Sequence, residues 1–137
     1  MNLDGHTFTV HDASAFPIVF SRADAVLPGY AMQWETEMNM LLAQGSPFVV
    51  LFPAMRTEET HEDRKRRGLW LKRNKQALAG LCRCLIAIEP DSLKRLALKA
   101  QTAMATKAFG IPMQIVSSPE EATTLADRLI SAEPLAR

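Results

Sequence analysis

A dense cluster of charged side chains lies in the middle of the chain, in the stretch HEDRKRRGLWLKRNKQ at residues 61–76. Seven cations fall within twelve residues, around a single tryptophan: Arg64, Lys65, Arg66, Arg67, Lys72, Arg73 and Lys75. Such a run can bind nucleic acid, dock a protein or an anionic ligand, or form the solvated face of a helix. The candidate residues for binding a partner or an anion are Arg56, Arg64, Arg66, Arg67 and Arg73.

Two features argue against nucleic acid as the partner. Sixteen basic residues stand against fifteen acidic ones, so the formal net charge is only +1, whereas nucleic-acid-binding domains usually carry a clear cationic excess. Trp70 is expected at a core position, whereas single-stranded nucleic acid is held by several exposed aromatic side chains in a basic groove. A solvated helix face is therefore the leading interpretation of the run, and a docking surface is the second.

Four carboxylates stand at the start of the basic run and resemble a catalytic cluster: Glu58, Glu59, Glu62 and Asp63. General acid–base catalysis needs a pocket that separates the pKa values of such groups. The neighbouring arginines favour ion pairing instead, because Glu62 and Arg66, like Asp63 and Arg67, are four residues apart on a helix. The sequence therefore predicts structural ion pairs rather than an acid and a base.

Other residues capable of chemistry are sparse. The glycines are scattered and form no phosphate-binding loop, and the three histidines, His6, His11 and His61, have no partner at a metal-binding or catalytic spacing. His6 and His11 flank a predicted strand, where we expect exposed or locally bonded side chains. The sequence identifies no catalytic residue, no metal ligand and no cofactor, and it favours a protein that is not an enzyme.

The two cysteines, Cys82 and Cys84, are two residues apart in a predicted strand. Alternation along a strand predicts that both side chains point to one face, together with Ile86 and Ile88. Metal binding would require two further soft ligands, and the chain has no second cysteine pair. We therefore expect buried, reduced and unreactive thiols.

The periodicity of apolar residues predicts the element order β-β-α-β-α-β-α-β-α. The predicted strands are HTFTV at 6–10, PIVF at 17–20, PFVVLFP at 47–53, LCRCLIAIEP at 81–90 and MQIV at 113–116. The predicted helices lie at about 31–44, 58–80, 91–110 and 118–130. The run at 48–52 has no polar alternation, so we expect it at the centre of the sheet, buried on both faces. The stripe predicted to face inward from the third helix comprises Leu93, Leu96, Ala97, Ala100 and Met104.

This order predicts an α/β fold, with a mixed and mostly parallel sheet of about five strands, covering helices and an antiparallel edge formed by the first hairpin. The length of 137 residues suits a single domain spanning 1–137. The longest apolar runs are far shorter than the ~20 residues needed to cross a bilayer, and the start MNLDGHTFTV lacks the pattern of a secretion signal. We therefore expect a cytoplasmic protein that does not bind membranes.

The chain resembles the STAS superfamily, in particular its SpoIIAA-like domains related to anti-sigma-factor antagonists. The resemblance covers about residues 6–132. It rests on the element order, on RRGLWLKRN followed by LCRCLIAIE, and on the ending AFGIPMQIVSSPEEATTLADRLI. In anti-sigma-factor antagonists, a phosphorylated serine or threonine follows the central strand. The matching segment here is LFPAMRTEET, so the resemblance implies Thr57 and Thr60 as weak candidate phosphorylation sites.

These observations predict a non-enzymatic interaction or regulatory module that acts through the charged helix at 58–80. A protein partner is expected, and a homodimer is possible. The alternative is a small binding protein or enzyme that holds an acidic or lipid-like ligand between helices, with Arg56, Arg64 or Arg67 on its anionic group. In the first case the arginines contact a protein, and in the second they contact a small molecule.

Overall fold

We describe a computed structural model of the chain, in which residues 8–54 and 59–132 are described. His6, Arg56, Thr57 and Glu58 lie outside the described residues. The strands are β1 (His11–Asp12), β2 (Ile18–Ser21), β3 (Phe48–Pro53), β4 (Cys82–Ile88) and β5 (Met113–Val116). The α-helices are α1 (Ala31–Ala43), α2 (His61–Arg73), α3 (Lys75–Leu81), α4 (Ser92–Phe109) and α5 (Pro119–Ala132).

The five strands form one mixed sheet in the order β1-β2-β3-β4-β5. Strand β1 pairs antiparallel with β2, and β2, β3, β4 and β5 are mutually parallel. This architecture confirms the predicted fold class, including the antiparallel edge. Parallel neighbours require crossover connections, and here each crossover contains at least one helix.

Strand β3 is the central strand, as its uninterrupted apolar sequence predicts. Phe48 and Val50 belong to one buried cluster, and Val49 and Leu51 belong to another. Because successive side chains of a strand point to opposite faces, both faces of β3 are covered. The prediction that residues 48–52 form the central strand is confirmed, and the predicted burial is confirmed for the four residues from Phe48 to Leu51.

Helices α1, α2 and α3 cover one face of the sheet, which we call the α1 face. Its buried cluster includes Trp34, Met38, Leu41, Phe48, Val50, Trp70, Leu78 and Cys82. Helix α5 covers the opposite face, which we call the α5 face. Its cluster comprises Val49, Leu51, Cys84, Ile86, Val116, Ala122 and Ala126, with Leu125, Leu129 and Ile130 packed against it. The apolar periodicity of the last helix predicts an inward stripe of Ala122, Leu125, Ala126, Leu129 and Ile130, and this stripe is confirmed.

The inward stripe predicted for α4 is wrong. Leu93 and Met104 are 77% and 75% exposed, and Leu96, Ala97 and Ala100 are exposed as well. The physical reason lies in the first turn, where Arg95 Nη1 donates to the carbonyl oxygens of Glu89 and Pro90, at 2.9 and 2.8 Å. These bonds turn the Arg95 side of the helix toward the sheet, and the opposite side, which carries Leu93, therefore faces solvent.

The first strand is shorter than predicted and lies later in the chain. Residues 8–10 are not in a strand, and β1 contains only His11 and Asp12. The backbone N–H groups of Thr9, Val10 and His11 donate to the carboxylate of Glu37 on α1, at 2.7–3.2 Å. The Glu37 carboxylate thus accepts hydrogen bonds from the backbone N–H groups that a neighbouring strand would otherwise pair with.

Cys82 and Cys84 are both buried, but the prediction that they share a face is wrong. Cys82 belongs to the cluster on the α1 face, and Cys84 belongs to the cluster on the α5 face. The register between β3 and β4 shifts between Phe48 and Val49, because Phe48 pairs with Cys82 whereas Val49 pairs with Cys84. The extra residue is a β-bulge, which reverses the alternation at this point.

The predicted helix at 58–80 is divided in two at Asn74, where φ is −106° and ψ is 19°. The side chain of Asn74 donates to the carbonyl oxygen of Trp70 at 2.9 Å, which ends α2 before α3 begins.

In the described ranges, none of the helices has the length and apolar character needed to cross a bilayer.

Candidate functional site

The first turn of α2 is fixed by Asp63, a buried carboxylate. Thr60 is the N-cap residue: its hydroxyl oxygen accepts from the Asp63 N–H at 3.1 Å and its hydroxyl donates to Asp63 Oδ2 at 2.8 Å. Asp63 also accepts from the backbone N–H groups of Gly29 and Ala31, at 2.8 and 3.1 Å. Burial alone raises the pKa of Asp63, but these hydrogen bonds outweigh it and leave the pKa below its usual value.

A second buried contact joins α2 to the loop before α1. Arg67 makes a two-pronged ion pair with Glu59, with Nε–Oε2 and Nη2–Oε1 distances of 2.5 and 3.1 Å. The Tyr30 hydroxyl donates to the same carboxylate at 2.6 Å, and the Arg67 guanidinium lies 5.7 Å from the ring centre of Trp34. The side chain of Arg67 is only 17% exposed, so this predicted anion-binding residue is bound within the fold.

Two tryptophans complete the packing of α1 against α2. The rings of Trp34 and Trp70 meet edge to face, with centres 5.2 Å apart. Trp70 Nε1 donates to Asn39 Oδ1 at 3.0 Å, which satisfies the polar end of the buried indole. The predicted core position of Trp70 is therefore confirmed, and the polar residues on the outer side of α2 are held on a rigid base.

An open groove of about 640 Å³ runs along the outer side of the α1–α2 pair, and we call it the α1–α2 groove. Arg66 and Arg73 both line it, as does Lys65. Its apolar residues include Met32 and Leu69, which are 61% and 43% exposed. The groove thus combines exposed apolar side chains with three cations and with the carboxylates of Glu35, Glu62 and Asp63.

The ion pairs of the basic run differ from those predicted. Arg66 pairs with Glu35 of α1 at 2.6 Å, and Arg67 pairs with Glu59, so neither uses the acid four residues before it. Arg64 lies on another side of α2, where its exposed side chain is 3.5 Å from Glu59. Of the candidate arginines that the structure describes, Arg66 and Arg73 line the α1–α2 groove, whereas Arg64 and Arg67 both lie beside Glu59.

The most elaborate polar site, at Glu37, is not among the residues that the sequence analysis identified. Its fully buried carboxylate accepts the three backbone N–H groups described above, together with Gln33 Nε2 at 2.8 Å, and lies 2.8 Å from His11 Nδ1. Burial works to raise the pKa of Glu37, yet the hydrogen bonds lower it to about 2. The sequence did indicate that Glu37 is buried, because helical spacing places it on the same side of α1 as Trp34, Met38 and Leu41.

His11 is fully buried, and its hydrogen-bond partner Glu37 is 26 residues away in the chain, so the expectation of an exposed or locally bonded side chain is wrong. Its ring lies beside Trp34, with centres 6.3 Å apart, and Nε2 has no hydrogen-bond partner among the described residues. With neither His11 nor Glu37 reachable by solvent, the pair connects β1 to α1 and serves the fold. In the ranges 8–54 and 59–132, no three histidine, cysteine or acidic residues are grouped so that they could hold a metal ion.

The structure therefore offers one candidate surface built from predicted residues, the α1–α2 groove with Arg66 and Arg73. Comparison of the chain with protein-family models, with curated proteins and with solved structures finds no match.

Proposed function

We propose that this protein is a non-enzymatic interaction or regulatory module of the cytoplasm, and that it docks an acidic, partly apolar segment of a partner protein in the α1–α2 groove. The observation that carries the proposal is the exposure of Met32 and Leu69 in the groove that Arg66 and Arg73 also line. Arginine and methionine are enriched at protein interfaces, and a central apolar contact with charged neighbours supplies both affinity and orientation.

The charge of α2 supports an acidic partner. The helix carries six cations, at positions 64–67, 72 and 73, and two acidic residues, Glu62 and Asp63. Asp63 is buried and bonded to the backbone before α1, and Glu35 is paired with Arg66. Arg73 and Lys65 are therefore the cations of the groove for which no ion pair is found within the described residues.

The rigid attachment of α2 also supports a binding role. Asp63, Arg67 and Trp70 hold the inner side of the helix through hydrogen bonds and ring contacts. A preformed surface loses less conformational entropy on binding than a flexible one, so more of the contact energy appears as affinity.

The resemblance to STAS domains is consistent with a regulatory role, in which phosphorylation near the start of α2 would control the partner. Thr60 remains a weak candidate for this. Its hydroxyl is bound to Asp63 as the helix cap, and Glu59 and Glu62 lie beside it in the chain. A phosphate here would both break the cap and meet like charges, so modification would loosen the first turn of α2.

The test uses peptides of defined chemistry. A displayed library of acidic amphipathic peptides would be selected against the wild-type chain, and dissociation constants would be measured by fluorescence anisotropy. We expect Arg66→Gln combined with Arg73→Gln to weaken binding about tenfold or more, because two charged hydrogen-bond donors are lost. The matched control, Lys72→Gln with Lys75→Gln, removes the same charge outside the groove and should weaken binding by less than about threefold.

Three outcomes would contradict the proposal. Equal weakening by both pairs of substitutions would mean that only net charge matters. Salt-sensitive binding of random oligonucleotides, abolished by the arginine pair, would identify a nucleic-acid interface instead. Tight binding of a long-chain fatty acid that both pairs retain would favour the alternative, a small protein that holds a lipid-like ligand between helices.

A further inference from the structure

The outer edge of β5 is the open end of the parallel part of the sheet. Among the described residues, β5 pairs with β4 on one side and no strand lies on the other. An exposed strand edge presents unpaired N–H and C=O groups and is a template for another strand. The composition and surroundings of β5 indicate which strand it fits.

The hydrogen-bonding groups on this edge can be assigned from the β4 contacts. The carbonyl oxygens of Pro112 and Val116 accept from the Leu85 and Glu89 N–H groups, at 2.9 and 2.8 Å. Because backbone groups alternate in direction along a strand, Met113 and Ile115 direct both N–H and C=O away from β4. The next N–H that points away from β4 is that of Ser117. It donates to the Glu121 carboxylate of the same chain at 2.8 Å, so the edge available for pairing ends there.

The residues of β5 do not protect this edge against pairing. Monomeric proteins commonly place lysine or proline on an edge strand, or distort it with a bulge. The sequence of β5 is Met-Gln-Ile-Val, which contains neither a charge nor a proline, and its pairing with β4 is regular. The proline at position 112 precedes the strand and does not affect the outward groups of Met113 and Ile115.

There is space for an added strand on both faces of the edge. A groove of about 330 Å³ lies between α4 and β5, and one of about 460 Å³ lies between α5 and β5. Gln114 lines both grooves, and Ala103 lines the first. Leu96 is seven residues before Ala103 and shares its side of α4, so the exposed apolar stripe of α4 continues from the β5 edge.

We propose that the β5 edge binds β5 of a second copy of this chain, antiparallel and with the two-fold axis at Gln114. Met113 then opposes Ile115 of the second copy, and each such pair exchanges two backbone hydrogen bonds. Gln114 faces its own copy at the axis, where two side-chain amides can donate to and accept from each other. The edge is thus complementary to itself, which is the requirement for a closed dimer.

The α4 helices lie on the same side of the joined sheet and meet near Ala103. The small side chains of Ala100 and Ala103 allow close approach, and Leu96 is covered by the second copy. Lys99 and Lys107 are each four residues from Ala103, so an antiparallel crossing brings Lys99 near Lys107 of the second copy. These like charges repel, and we therefore expect dimerisation to strengthen as salt is added.

The test uses opposite charges at the two-fold axis. Wild-type chain should sediment at twice the 15.2 kDa chain mass at high concentration. Gln114→Lys and Gln114→Glu should each raise the dimer dissociation constant about tenfold or more, because like charges then face each other across the strands. An equal mixture of the two variants should form the mixed dimer, since the introduced lysine then opposes the introduced glutamate.

A matched control and the thermal transition distinguish a lost interface from a lost fold. Gln76→Lys, at an exposed position of α3, should leave the dimer dissociation constant unchanged. All variants should melt as monomers within a few degrees of one another, since Gln114 is exposed. A wild-type chain that stays monomeric at every concentration, a dimer that tolerates both Gln114 variants, or a mixture that fails to associate would each overturn the proposal.

Discussion

On the α1 face of the sheet, helices pack around buried charged groups, whereas on the α5 face a single helix packs through alanine and aliphatic side chains. Glu37 and His11 are fully buried on the first face, and Asp63 is nearly so. On the second face, Ala122 and Ala126 lie directly against the sheet. One face is closed by directional hydrogen bonds, and the other is closed by close approach of small residues.

This difference shows that charged residues in a strongly charged stretch of sequence can form contacts within the fold rather than contacts with a partner. Asp63 and Arg67 belong to the charged stretch at residues 61–76, and Glu59 lies just before it, yet all three residues attach α2 to the rest of the fold. The outer side of the same helix, with Arg66 and Arg73, forms the docking surface that we propose. The inner charges therefore determine where the outer ones lie.

The two cysteines allow each face to be probed separately, because Cys82 faces α1 and Cys84 faces α5. Burial raises the pKa of Cys82 to about 12 and that of Cys84 to about 11. Since only an accessible thiolate reacts, we expect native labelling at pH 8 to be slower than in urea by roughly 100-fold or more for both thiols, with Cys82 the slower of the two.

Single-cysteine variants, Cys84→Ala and Cys82→Ala, would be labelled with a thiol reagent and the rates followed by absorbance. Faster labelling of Cys82 than of Cys84 would contradict the larger effect of burial on the pKa of Cys82. Rapid native labelling of both thiols would show that neither face is closed as described.

Acid should weaken the α1 face through Glu37, whose pKa is lowered from 4.5 to about 2. A carboxyl group with a lowered folded-state pKa stabilises the protein fully above its unfolded pKa, and this stabilisation is lost as the pH falls toward the folded value. We expect the free energy of unfolding to fall by on the order of 3 kcal/mol between pH 5 and 2 from this group. Urea unfolding at a series of pH values measures it.

The variant Glu37→Gln provides the control for acid sensitivity, because an amide does not titrate. We expect it to be less stable at pH 7 and to show a flatter pH dependence than the wild type. Hydrogen exchange at pH 3 should show the amides of Val10 and His11 opening before those of α5. Simultaneous opening would mean that the two faces unfold as one unit.

A smaller loss of stability is expected from a substitution on the α5 face, where packing depends on the small volume of the alanine side chains rather than on hydrogen bonds. Ala126→Leu inserts three carbon atoms where the helix lies against the sheet, and overpacking of this kind costs about 1–3 kcal/mol. The loss should be the same at pH 7 and pH 4, because no titratable group is changed. Ala103→Leu on α4, at an exposed position, is the matched control, measured as a monomer at low concentration.

The order of the elements, the central position of β3 and the inward stripe of α5 were predictable from the sequence. Each depends on a local pattern: an unbroken apolar run for β3, and a capped helix with one apolar side for α5. The outer position of Arg66 and Arg73 was also predictable, since residues seven apart share a helix face. These features need no knowledge of which elements become neighbours.

Only the tertiary structure determined the hydrogen bonds that Glu37 makes, the sheet face on which each cysteine lies and the orientation of α4. Glu37 replaces a strand partner for Thr9, Val10 and His11, a contact between positions more than 25 residues apart. The bulge that separates Cys82 from Cys84 arises from pairing with β3. The side of α4 that meets the sheet is the one from which Arg95 donates to Glu89 and Pro90, just after β4, and it is not the more apolar side. Packing partners, and not periodicity alone, determine which face of a helix is covered.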